Sequence, residues 1–193
     1  MPMMTGSLET KSPFDLLVDL DRQSRAGDVA RAMSGQKAEE AQWGGIALRI
    51  GHLQLLCELS DISEVVVCPP VTAVPGTRQW MKGLANIRGT VFTIIDLRAF
   101  LGGGYVSLST TSRVLIIRSG RLNAGLLVDQ VMGRAQVGES KIAPVGVEVP
   151  SELAPYVDRQ CYRNDSMWWF FSLNKLISSP GFMDVLVEQQ TRT

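Results

Sequence analysis

From Trp43 onward the chain is a succession of short β-forming runs, each ended by glycine, proline or asparagine. In the first run, Ile46, Leu48 and Ile50 alternate with smaller or polar residues, which is the pattern of a half-buried strand. The strongest runs cover residues 46–50, 53–57, 62–67, 90–95, 113–118, 125–131, 160–163 and 167–172. About nine or ten short strands at this spacing predict a barrel or a sandwich. The chain is therefore expected to be mainly β.

The segments between these runs carry other signals. Asp96 can cap a short helix over 97–101 that the following glycines end, and residues 173–177 suit one helical turn. Residues 80–87 are interpreted as helix or loop. Residues 141–155 are rich in proline and valine, so they are expected to wrap the surface.

The first forty-odd residues differ from the rest. Ser12 can cap a helix on which Phe14, Leu17 and Leu20 share one face. This amphipathic helix either docks onto a partner or folds back onto the main domain. Residues 26–42 are small, polar and charged, which indicates a linker or a weak helix. The predicted organisation is an N-terminal helix and linker (1–42), a main domain (43–182) and a C-terminal tail (183–193).

The composition excludes several classes of protein. Lys plus Arg number 19 and Asp plus Glu number 19, so the formal net charge is zero. A strong nucleic-acid binder needs a basic surface that displaces counterions from phosphates, and this balance argues against one. No apolar run is long enough to span a bilayer, and the first residues lack the apolar centre of a secretion signal. Because the cysteines number three and show no CxxC spacing, a reducing cytoplasm is the expected compartment.

The sequence shows no recognisable catalytic pattern. His52 is the only histidine and lies in a predicted turn, and no GxSxG motif supplies a nucleophile for it. The glycine run at 102–104 lacks the GxxxxGK(S/T) of a phosphate loop. Cys57, Cys68 and Cys161 are interpreted as buried or half-buried thiols rather than metal ligands. We expect no enzymatic activity, no cofactor and no metal.

Two charged residues stand inside or beside apolar runs. Glu64 lies in the run 62–67, and Arg88 precedes Gly89 just before the run 90–95. A charge embedded in apolar sequence is costly unless it is paired. A guanidinium can pair with a carboxylate and still offer donors to a partner. Arg88 therefore either pairs with Glu64 or braces its own turn, and Gly89 suits a tight backbone position.

The sequence around Arg88 is similar to the signature of the CheW-like family. Residues 83–89 (GLANIRG), followed by Val91 and by IIDLR at 94–98, resemble that family's glycine, short apolar run, Asn-Leu-Arg-Gly and Val-Ile-Asp-Leu, in the same order. Residues 71–76 (VTAVPG) resemble the proline-containing approach to this motif. Residues 124–131 (AGLLVDQV) are similar to the family's second landmark.

The resemblance runs from about Trp43 to about Pro180 and implies a fold and a function. The fold would be two small five-stranded SH3-like barrels that share a core. The function would be that of a non-catalytic cytoplasmic adaptor, recruited to receptor arrays at the membrane. Such an adaptor couples the cytoplasmic tip of a chemoreceptor to a CheA-type histidine kinase. The start SPFDLL at 12–17 and the pair Trp168-Trp169 are further similar to family members in chemosensory systems that control type IV pili and twitching motility.

The same resemblance implies where partners bind. Arg88 matches the arginine of the family's Asn-Leu-Arg-Gly, and Glu64 matches the glutamate after its second strand. Receptor contacts in the family lie around these two and in an apolar groove between the barrels, where Ile87, Gly89 and Val128 are the corresponding positions. Ile87 replaces the family's leucine.

Two questions stay open at the level of sequence. The closing strand (MWWFFSLNKL) is more aromatic than is usual in the family, so its aromatic side chains are either core or an adaptation to a partner. The alternative function is that of a small barrel that binds nucleic acid, because such barrels also bind oligonucleotides. A hydrolase would need a nucleophile and a base that the sequence does not offer.

Overall fold

The computed structural model describes residues 41–120, 122–146 and 148–183. Eleven strands lie within these ranges: β1 (Gln42–Ile50), β2 (Leu53–Glu58), β3 (Glu64–Val67), β4 (Met81–Ile87), β5 (Thr90–Asp96), β6 (Arg113–Ser119), β7 (Leu122–Val128), β8 (Gln130–Gly138), β9 (Ala143–Pro144), β10 (Val157–Arg163) and β11 (Ser166–Phe171). Two short α-helices are α1 (Leu97–Phe100) and α2 (Leu173–Ile177), and residues 180–183 at the end of the described range are helical as well. Single 3-10 turns cover Leu59–Asp61, Glu139–Lys141 and Ala154–Tyr156.

The strands form two sheets. The first sheet has the strand order β8-β1-β2-β11-β10-β9, and the second has the order β3-β6-β7-β5-β4. Most neighbours are antiparallel, but β11 runs parallel to β2 and β5 runs parallel to β7. The predicted class, mainly β with two small units, is confirmed. The first sheet has a sixth strand because the two-residue β9 pairs with the outer edge of β10.

A common hydrophobic core joins the two sheets, and each sheet also encloses a smaller cluster of its own. The alternation of side chains along a strand divides the residues between these cores. On β2, Leu55 faces the common core and Leu56 faces the cluster of the first sheet. On β5, Ile95 faces the common core and Ile94 faces the cluster of the second sheet. The two sheets can share a core because strands such as β2 and β5 are apolar on both faces.

The paired tryptophans of β11 follow the same rule. Trp168 packs in the cluster of the first sheet, and its indole N–H donates to the carbonyl of Arg163 at 3.1 Å. Trp169 packs in the common core. Both side chains are buried. The aromatic residues at 168–171 therefore contribute to the core rather than to the surface.

The interpretation of residues 80–87 as helix or loop is wrong, because Met81–Ile87 is strand β4. The strand is held by partners on both sides: β5, and the bridge between Leu84 and Thr72, whose two N–H to O distances are both 2.8 Å. Gly83 has φ +135°, and a Cβ there would overlap the Thr72 carbonyl oxygen. Because Thr72 lies in the segment that follows edge strand β3, this bridge ties that segment to the other edge strand, β4, and brings the two edges of the second sheet together.

The predicted N-terminal helix with Phe14, Leu17 and Leu20 lies outside the described residues, as does nearly all of the predicted tail at 183–193. The division at 42 and 182 therefore stays a prediction. In the part of the chain that the structure describes, no helix has the length and apolar character needed to cross a membrane.

Candidate functional site

The turn between β4 and β5 consists of two residues, Arg88 and Gly89. Ile87 pairs with Thr90, and the φ angles of Arg88 and Gly89 are 51° and 83°. Two successive positive φ angles define the type I′ turn, which matches the twist of a hairpin. The Asn86 side-chain oxygen accepts the Gly89 N–H at 2.8 Å and steadies the turn. The Asn-x-Arg-Gly motif is thus the sequence of one tight hairpin.

Arginine is a costly choice for this turn. The left-handed conformation costs a residue with a Cβ roughly 1–2 kcal/mol relative to glycine. Strain of this kind is often found at functional sites. The second such turn in the described residues uses Asn164 and Asp165, with φ angles of 50° and 55°, and these short polar residues tolerate the conformation better.

The Arg88 side chain pairs with Glu64 on β3. Arg88 Nη2 lies 2.7 Å from Glu64 Oε1, and the two side chains are 77% and 28% exposed. Of the two alternatives that the sequence left open for Arg88, the structure shows the ion pair with Glu64. Since β3 and β4 are the outer strands of the second sheet, the ion pair spans the seam where the sheet closes. The guanidinium has one nitrogen on Glu64 and most of its surface in solvent, so it retains donors for a partner.

The other predicted positions lie in different environments. Gly89 is exposed beside Arg88, whereas Ile87 is buried in the cluster of the second sheet. Val128 has 0% exposure and belongs to the common core. Val128 pairs with Arg113 at the start of β6, three positions before Ile116, which pairs with Glu64. The structure thus brings Glu64, Arg88 and Gly89 together at the surface, but not Val128.

Sequence reasoning missed an apolar part of this surface. Val91 on β5 is 55% exposed and lies directly opposite Asn86, which is also exposed. In the sequence, Val91 belongs to a β-branched run typical of a core, and the alternation places it on the same face of β5 as Ile95 in the common core. Nothing local therefore shows that this end of the strand is left uncovered. We call Glu64, Asn86, Arg88, Gly89 and Val91 the Arg88 surface. It combines a charged centre with an apolar neighbour, as protein interfaces do.

The acidic residue of the IIDLR motif has a structural role. Asp96 is completely buried, and its Oδ1 accepts the Ala99 N–H at 3.0 Å, which confirms the predicted cap of α1. Its Oδ2 accepts the Val106 N–H at 3.0 Å and lies 3.8 Å from Lys82 Nζ. The carboxylate therefore anchors both the helix and the loop that follows it.

The thiols occupy the environments expected of them. Cys57 and Cys161 are buried, and Cys68 is half-buried. Burial raises the pKa of the Cys57 thiol, and the charges of Asp61 and Glu58 raise it further. Burial also raises the pKa values of Cys68 and Cys161. All three are therefore weaker nucleophiles than a free thiol at neutral pH.

This fold and this surface define the class of protein. The family model described as the CheW-like domain matches residues 44–181, so the chain belongs to the CheW-like family. The chain is 32% identical to protein PilI of Pseudomonas aeruginosa over 179 residues, which is 93% of this chain and 99% of that protein. It is 27% identical to protein FrzA of Myxococcus xanthus over 114 residues, 59% of this chain and 70% of that protein.

A solved structure agrees with these relatives. The scaffolding protein TtCheW from Thermoanaerobacter tengcongensis superposes with a TM-score of 0.63 at 26% identity, covering 73% of this chain and 96% of that one. The family predicted from the sequence is confirmed. The nucleic-acid-binding alternative gains no support, since these relatives are PilI, FrzA and a CheW scaffold.

Proposed function

We propose that the protein is a non-catalytic adaptor that couples the cytoplasmic tip of a chemoreceptor to a CheA-type histidine kinase. It works in the cytoplasm and is recruited to receptor arrays at the membrane. Similarity to PilI over 93% of the chain favours a chemosensory pathway that controls type IV pili and twitching motility. Membership in a family whose solved relative is named a scaffolding protein supports a role in binding rather than in catalysis.

The observation that carries the proposal is Arg88 itself. Its backbone is in a left-handed conformation and its side chain is 77% exposed, so the residue contributes little to stability. Glu64 orients the guanidinium without covering it. We therefore assign the receptor contact to the Arg88 surface, where a charged hydrogen-bonding group stands beside the exposed Val91. A few anchors of this kind supply most of the binding energy in protein interfaces.

The decisive test is binding of the purified chain to a receptor cytoplasmic fragment and to the regulatory domain of the kinase. Arg88→Ala should weaken receptor binding by at least about tenfold, as loss of an interface anchor does. The matched control is Arg134→Ala, which removes an exposed arginine on β8 of the first sheet. It should change the affinity by no more than about twofold.

Equal receptor binding by the two variants would overturn the assignment of the Arg88 surface. Failure of the wild-type chain to bind either partner would overturn the adaptor function itself. In the organism that encodes the chain, loss of the protein should abolish twitching, and the Arg88→Ala variant should fail to restore it while Arg134→Ala restores it.

A further inference from the structure

The chain passes from the second sheet back to the first between β7 and β8, and a single residue separates these two strands. β7 of the second sheet ends at Val128 and β8 of the first sheet begins at Gln130, so Asp129 alone forms the corner. Because the chain passes from one sheet to the other without a loop, the angle between the two sheets depends on the backbone conformation at this corner.

The Asp129 carboxylate contacts both sheets. Its Oδ2 accepts the N–H of Gly51, in the β1–β2 turn of the first sheet, at 2.7 Å. Its Oδ1 lies 3.6 Å from Nη1 of Arg98, on α1, which follows β5 of the second sheet. The side chain is only 12% exposed, so water competes weakly for these contacts.

Neighbouring contacts hold the same corner. Arg98 Nε donates to the Gly103 carbonyl at 2.7 Å, which fixes the guanidinium against the end of α1. Arg49 on β1 donates to the Gln130 side-chain oxygen through Nε at 3.2 Å and Nη2 at 3.1 Å. Thr111 Oγ1, just before β6, donates to the Asp129 backbone oxygen at 3.2 Å. Polar contacts therefore tie β1, the β1–β2 turn, α1 and the chain just before β6 to this corner.

Apolar packing alone does not fix the position of the β1–β2 turn relative to α1. A cavity of about 40 Å³ lies between them, lined by Gly51 and His52 on one side and by Arg98 and Leu101 on the other. The common core provides cohesion, but the hydrophobic effect has no direction. Hydrogen bonds and ion pairs do have a preferred geometry. At this place, the polar contacts of Asp129 are the directional ones.

We propose that Asp129 is a positioning residue that fixes the angle between the two sheets, so that a partner bound to one sheet is held in a defined orientation to a partner bound to the other. This inference rests on the proposed adaptor function. It predicts that Asp129 affects the coupling of the two partners and not the affinity of either one.

The first measurement is the distance distribution between spin labels on the two sheets. The labels are attached to cysteines that replace Val91 on β5 and Gln136 on β8, which are both exposed. The background variant Cys68→Ser removes the half-buried thiol, which would otherwise also react with the label. Asp129→Ala should shift or broaden the distribution. Asp129→Asn keeps an oxygen for the Gly51 N–H and loses the charge opposite Arg98, so its change should be smaller.

The matched control is Asp158→Ala. Asp158 forms ion pairs at 3.5 Å with Arg159 and at 3.4 Å with Lys175, and none of these residues belongs to the second sheet. Its loss should leave the distribution as in the wild type. A wild-type distribution in both Asp129 variants would overturn the proposal.

The second measurement separates affinity from coupling in the variants without labels. Asp129→Ala should bind the receptor fragment and the kinase regulatory domain within about twofold of the wild type. In the reconstituted assembly of all three proteins, its control of kinase activity should fall by at least about fivefold. Unchanged control would overturn the positioning role. If the wild-type chain binds neither partner, the proposed function fails, and the distance measurement still decides whether Asp129 sets the angle.

Discussion

Arg88 and Glu64 form an ion pair with a 2.7 Å contact across the seam of the second sheet. The pair brings little net stability, because exposed ion pairs contribute about 0.2–1 kcal/mol. The left-handed backbone of Arg88 costs roughly 1–2 kcal/mol in the opposite direction. An arginine that does not stabilise the fold, in a turn where glycine or asparagine would be easier, is expected to serve binding.

Replacing Arg88 by glycine should therefore separate stability from binding. Arg88→Gly relieves the left-handed strain and removes the ion pair, so the free energy of unfolding should change by less than about 1 kcal/mol. Receptor binding should fall as far as it does in Arg88→Ala. Urea denaturation and titration with the receptor fragment measure the two effects.

The control for this prediction is Asn164→Gly in the other two-residue turn, where φ is 50°. It should leave receptor binding unchanged. A loss of several kcal/mol in Arg88→Gly would show that the ion pair is structural, and retained binding would remove Arg88 from the partner site.

Asp96 should behave in the opposite way, as a residue of the fold. Asp96→Ala leaves the Ala99 and Val106 N–H groups without their acceptor, and each loss in a buried site costs about 1–3 kcal/mol. The urea midpoint should drop accordingly, while the exposed Asp158→Ala changes it little. Asp96→Asn should also destabilise the protein, since an amide presents one acceptor in place of two. A stable Asp96→Ala variant would contradict the anchoring role.

The hairpins can be predicted from the sequence because their signals are local. Ile46, Leu48 and Ile50 alternate on β1, and Gly51 marks the turn, so the pattern alone indicates the strand and its end. Residues 80–87 give the wrong prediction because Gly83, Ala85 and Asn86 are poor strand formers. β4 exists through its bonds to β5 and Thr72, which are distant interactions that no local pattern contains.

The site can be predicted only in part. Glu64 and Arg88 stand out because a charge beside apolar runs needs a partner, and the structure supplies it. Val91 and Val128 look alike in the sequence, since both lie in apolar β-runs. One is 55% exposed and the other 0%, because Val128 lies within the core between the two sheets, whereas Val91 lies near the start of β5, beyond the reach of that core. Burial at this level depends on how the strands are assembled and not on the residue type.

Gly83 should prove essential to that assembly. In Gly83→Ala, the new Cβ would overlap the Thr72 carbonyl oxygen, and the backbone has φ +135°. Because both obstacles are backbone features, the second sheet must open at its seam or the variant must lose about 3 kcal/mol or more of stability. Gly44→Ala is the matched control, since nothing lies within 4 Å of the position that its new methyl group would take and its φ is ordinary. Thermal unfolding should separate the two, and equal melting temperatures would contradict the closure through Thr72 and Leu84.

Alkylation of the native protein should rank the thiols by burial. Cys57 and Cys161 have 0% and 3% exposure, and Cys68 is half-buried, so iodoacetamide should modify Cys68 first and the other two only after unfolding.

Burial raises the pKa of Cys57, so this thiol stays neutral in the folded state. Its contribution to stability is complete below the ordinary thiol pKa of about 8.5 and is lost as the pH rises above it, because the unfolded thiol ionises first. As the pH rises into the alkaline range, the rate of Cys57 modification should therefore increase by a larger factor than the rate for a free thiol. Peptide mass mapping measures both rates. Fast modification of Cys57 at neutral pH would contradict the buried position on β2.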